Sequence, residues 1–75
     1  MALRAKELVV CVKNEGYPAS LELRKLYVAL PDARAAQYGQ LRVIDESGED
    51  YLYPQEFFLE VDLPQEVRRR VLQAA

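Results

Sequence analysis

The chain reads as one mainly β domain with a short helical insertion over 32–38 and a C-terminal helix over 64–73. Three observations predict this. Short runs rich in valine, tyrosine and leucine recur along the chain, and each is closed by Gly, Pro, Asn, Asp or Ser. Helix signals are confined to "PDARAAQYG" and to the tail after Pro64. At 75 residues, 51% of them apolar, the sequence suffices for a single core, so residues 1–75 form one small domain.

Taken in order, "ELVVCVK" (7–13) is an apolar, valine-rich run that ends in the loop residues "NEGYPAS"; it predicts a strand buried on both faces. "LELRKLYVALP" (21–31) alternates at its start, with Leu21 and Leu23 opposite Glu22 and Arg24. Leu23, Leu26, Tyr27 and Leu30 also fall near helical spacing, but the β-branched and aromatic residues and Pro31 favour a strand entered through a bend at Arg24 and Lys25. In "PDARAAQYG" Asp32 can accept from the free N–H groups of a first helical turn, and Gly39 suits the left-handed closing position.

"QLRVIDES" (40–47) places Leu41 and Val43 on one face and Arg42 and Ile44 on the other, and Ser47-Gly48 reverses the chain into "DYLY". Pro54 has no N–H and ends that pairing. "PQEF" closes one tight helical turn before "FLEVD" resumes as a strand. Pro64 is preorganised for a first helical turn, with Val67 and Val71 on one face and Arg68, Arg69 and Arg70 largely outside it.

The succession strand, turn, strand, Pro-led turn, strand in "YLYPQEFFLEV" (51–61) resembles the end of Src-homology-3-like barrels, where a helical turn takes the corner between the last two strands. That resemblance implies a small barrel of about five strands. "IDESGEDYLYP", with "LRKLYVALPD" upstream, resembles a group of short bacterial proteins of unknown function, and the likeness runs from Val10 to Leu72. It implies a fold and a bacterial cytosolic setting, and no activity.

Composition removes several classes of function. No apolar run approaches the ~20 residues that cross a bilayer, and "LVVCV" is too short for the core of an export signal. One cysteine cannot form an internal disulfide, so a reducing, cytoplasmic compartment is expected. With no histidine and one cysteine, a zinc site is not expected; Asp45, Glu46, Glu49 and Asp50 do not match a calcium loop, and no cofactor is expected. Cys11, Ser20 and Ser47 lack a histidine base, and Cys11 lies in an apolar run where burial makes a thiol inert, so the chain is not expected to be an enzyme.

Charge is unevenly spread: residues 1–30 carry +2, residues 31–66 carry −7 and the tail carries +3, for a net −2. The acidic middle repels phosphate and disfavours nucleic acid. The opposite-sign segments favour self-association as a homodimer.

The five tyrosines suggest a contact surface. Tyr51 and Tyr53 share one side of a strand. With Leu52 in the core they would form an outward pair beside the acidic turn and, with Asp50 and Tyr27, a face for peptides containing proline and basic residues. Alternatively, both lie under the 64–73 helix as a second small core. Arg68, Arg69 and Arg70 could touch phosphate, or could pair with Glu60, Asp62 and Glu66. The expected function is a non-enzymatic protein-interaction module with an aromatic and acidic face; the alternative is a nucleic-acid-associated regulator of a bacterial operon that uses the basic helix.

Overall fold

A computed structural model describes residues 1–74. Five antiparallel strands, β1 (Glu7–Cys11), β2 (Leu26–Leu30), β3 (Gln40–Ile44), β4 (Asp50–Pro54) and β5 (Phe58–Glu60), form one sheet in the order β4-β3-β2-β1-β5. The sheet curls into a half-barrel compatible with a small Src-homology-3-like barrel. Helix α1 (Ala33–Gln37) joins β2 to β3, a 3-10 turn (Gln55–Phe57) joins β4 to β5, and α2 (Gln65–Gln73) follows β5. No helix among the described residues is long and apolar enough to cross a membrane.

Register decides which side chains face inward, because opposed residues of an antiparallel pair share a face. Val9 opposes Tyr27, Ala29 opposes Val43, Leu41 opposes Tyr53, and Cys11 opposes Phe58. These residues, with Leu21 and Phe57, are the buried core inside the curl, and Met1 and Leu3 pack against it. Leu8, Val28 and Ile44 form the matching row on the outer face. Leu8 is buried there too, so β1 is covered on both sides as its valine-rich sequence predicts.

The caps follow local chemistry. Asp32 is extended (φ −156°) and accepts from the Ala35 N–H at 2.9 Å, while Gly39 (φ 69°) takes the left-handed position after α1. At the other side of the corner, the Gln55 N–H donates to Gly39 O at 2.9 Å and the Asp45 N–H to Glu49 O at 3.0 Å. The alternation of an antiparallel ladder then turns the main-chain groups of Tyr51 and Tyr53 toward β3 and those of Leu52 and Pro54 toward the free edge. The nitrogen of Pro54 thus lacks its hydrogen where no ladder bond is lost.

Two expectations need correction. The alternation read at 21–24 makes no ladder: the strand is entered, through the bend expected at Arg24 and Lys25, at Leu26, after a turn at Leu23 and Arg24 where Arg24 adopts φ 63°. Its N–H donates to Cys11 O at 2.7 Å, and Leu21, fully buried, anchors the loop as a core residue and not as part of a ladder. The last strand stops at Glu60, although Val61 N–H still donates to Leu8 O at 3.0 Å.

Candidate functional site

The hairpin joining β3 to β4 is built around Asp45, the only polar or charged residue among the buried ones described, 7% exposed. A three-residue loop, Glu46–Gly48, closes it; the Gly48 N–H returns to Asp45 O at 3.0 Å and Gly48 sits at φ 85°. The Asp45 carboxylate accepts from the Ser47 N–H at 2.9 Å, from the Ser47 hydroxyl and from the Tyr53 hydroxyl. Burial alone would raise its pKa, but the bonds from Ser47 and Tyr53 outweigh it and hold the carboxyl below its ordinary range. Burial, reinforced by Asp45, pushes Tyr53 up to about 12.

Glu46 repeats the pattern one residue on. It accepts from Lys25 and from the Tyr27 hydroxyl, which keep its pKa low. Tyr27 is raised by burial and by Glu46, and its oxygen also accepts the Glu22 N–H at 2.8 Å. Two core tyrosines therefore reach outward from the barrel to fasten adjacent carboxylates of one turn.

This arrangement takes apart the face expected from sequence. Tyr53 is 3% exposed and Tyr27 is buried, both inside the barrel, while Leu52 is 38% exposed on the outer side. The outward tyrosine pair is not formed, because the side opposite Leu52 is the interior. Nor do the tyrosines lie under α2, which rests over the outer face. Tyr53 instead packs edge-on to Tyr17, with ring centroids 5.0 Å apart. Asp50 and Tyr51 remain at the surface but on opposite faces of β4. Arg42 holds Asp50 at 3.0 Å, and the Tyr51 hydroxyl donates to Glu49 at 3.1 Å.

The arginines are similarly engaged. Arg68 donates to Glu7 at 3.0 Å and to the Lys6 carbonyl, whereas Arg69 and Arg70 pair with Glu66 on the exposed side of α2. No group of three His, Cys, Asp or Glu side chains among the described residues could hold a metal ion. Cys11 is buried, and burial raises its thiol pKa.

A concavity with an apolar floor lies on the outer face. A groove of about 310 Å³ has Leu8, Leu26, Val28 and Ile44 as its floor, Val71 of α2 on one side, and Lys25, Asp45, Glu46 and Gly48 on the other. Sequence reasoning missed these floor residues. They occupy the positions alternating with Tyr27, Ala29 and Val43, so the period of the strands carried the signal. Lys25 pairs with Glu22 and Glu46, and Arg42 with Asp32 and Asp50, while Asp45 and Glu49 are held by Ser47, Tyr53 and Tyr51. The hairpin beside the groove, with Asp45, Glu46, Glu49 and Asp50, therefore carries more carboxylates than cations.

No family model matches the chain, and comparison with curated proteins and with solved structures gives no match either.

Proposed function

We propose that the protein is a non-enzymatic protein-interaction module of the cytoplasm. Its groove takes a partner segment that carries apolar side chains beside basic ones. The carrying observation is the juxtaposition of an apolar floor, Leu26, Val28 and Ile44, with a turn whose carboxylates outnumber the cations that neutralise them. Apolar area supplies affinity, while the negative wall selects the sign of the partner and speeds encounter. A turn fastened through Tyr27 and Tyr53 presents this wall without ordering a mobile loop on binding, which lowers the entropic cost.

The test is an amide-shift titration of the whole protein with two synthetic peptides that share Val and Leu positions, one flanked by arginines and the other by glutamates. The basic peptide should move Leu26, Val28, Ile44, Glu46 and Gly48, more strongly at low salt, and the acidic one should leave them unchanged. Equal response to both peptides, or no response to either from the monomeric protein, overturns the proposal.

A further inference from the structure

Helix α2 is incompletely housed. It contributes no buried residue, and Val67, on the same helical face as Val71, is 45% exposed. A nine-residue helix is too short to persist in water on its own propensity, since isolated helices below ~12–15 residues are marginal. Beside it, the register sets Leu26 and Leu59 on either side of Val10 across the outer face of β2, β1 and β5. Leu26 and Leu59 are exposed, Leu59 by 59%. Helix face and strand row together make a step of apolar surface that runs into the groove.

We infer that the occupant of this face is a second copy of the chain, whose α2 lies in the groove of the first, reciprocally about a two-fold axis. The inference rests on the preceding reading of the groove and names its partner. The chemistry is matched within one sequence: α2 offers Val67 and Val71 flanked by Arg70, and the groove offers an apolar floor beside the carboxylates of the hairpin turn. In the single chain Arg70 pairs with Glu66 at 3.6 Å, an exposed contact readily exchanged for the hairpin carboxylates of a copy. A two-fold arrangement uses each patch twice and closes, leaving no sticky end.

The experiment is the mass of the whole protein by light scattering and sedimentation from about 10 µM to 1 mM, at low and high salt. The expected result is a concentration-dependent rise toward twice 8.6 kDa, weakened by salt. Val67→Asp and Arg70→Glu should each raise the dissociation constant at least ~10-fold while retaining a cooperative melt. A mass of 8.6 kDa at every concentration overturns the inference, and so does a dimer indifferent to both substitutions. The peptide titration separates the two readings. A monomer that still binds the basic peptide loses only the second copy as occupant, whereas a monomer that binds neither peptide loses the groove as well.

Discussion

Removing one oxygen from the core tests the internal logic of the hairpin. Tyr53→Phe deletes the hydroxyl that donates to Asp45 and leaves the ring, with its edge contacts to Tyr17 and Phe58, in place. Asp45 then keeps only the two Ser47 donors in a site that is 7% exposed. A hydrogen bond to a charged group contributes about 1.5–3 kcal/mol, and a buried carboxylate short of a donor cannot recover it from water. A loss near 2 kcal/mol should lower Tm by roughly 8–16 °C for a domain of this size.

The pH dependence supplies an internal control. The folded pKa of Asp45 lies below its unfolded value, so its contribution is complete above that value and fades as pH falls through the folded one. The deficit of Tyr53→Phe should therefore be constant at neutral pH and shrink below about pH 4, near the unfolded value. Urea unfolding at pH 7 and pH 3, repeated with Asp45→Asn in both backgrounds, measures the coupling. A neutral-pH deficit under ~0.5 kcal/mol, or one unchanged in the Asp45→Asn background, would refute the claim that Tyr53 sustains this carboxylate.

Leu21→Ala should cost about 2–5 kcal/mol, because a fully buried leucine that belongs to no strand pins the loop between β1 and β2 to the core. A urea midpoint close to that of the parent would show the loop to be held by its backbone bonds alone. Alkaline titration tests the tyrosines as a pair. Tyr53, at about 12, and Tyr27, raised in the same direction, lie above their ordinary value near ~10. Their stabilisation is complete below that value and is lost as pH climbs from about 10 toward 12. Tyrosinate absorbance from these two should appear together with unfolding; ionisation near pH 10 in the folded protein would contradict the burial described for them.

The corners of this fold are legible in sequence because each is made by a residue whose own backbone demands it. Asp32 caps, Gly39 turns left-handed, and Pro54 and Pro64 each open a helical turn. These are one-residue effects, independent of what lies across the sheet. The interior is a different kind of fact. Strand alternation puts Tyr51 and Tyr53 on one side of β4, but parity cannot say which side is inside. The neighbour decides it. A three-residue loop at 46–48 pairs Leu41 with Tyr53 and Arg42 with Leu52, so the strand face bearing Arg42 is the outer one. Carrying that register across the hairpin would have placed Tyr53 in the core from sequence alone. The loop at 21–25 offers no such route, since Leu21 is buried by contacts distant in sequence and Arg24 adopts a left-handed backbone that its residue type does not announce.

The density of signals in "IDESGEDYLYP" has two physical sources, and the register separates them. Residues on the inner side of the hairpin hold the domain together: Asp45 and Glu46 satisfy hydroxyls of two core tyrosines, which lets aromatic rings fill a small barrel without leaving a buried O–H unpaired. That solution places the oxygens of Asp45 and Glu46 at one end of the sheet, where Lys25 pairs with Glu46 and, among the described residues, Asp45 has no cation in its bonds. The same alternation that sends Tyr27 and Val43 inward sends Val28 and Ile44 outward, onto the floor beside those carboxylates. A surplus of negative charge next to uncovered apolar surface is thus a consequence of how the core was closed. A tyrosine substitution that loosens the hairpin should weaken binding in the groove in proportion to its loss of stability, whereas a change confined to Ile44 should weaken binding alone.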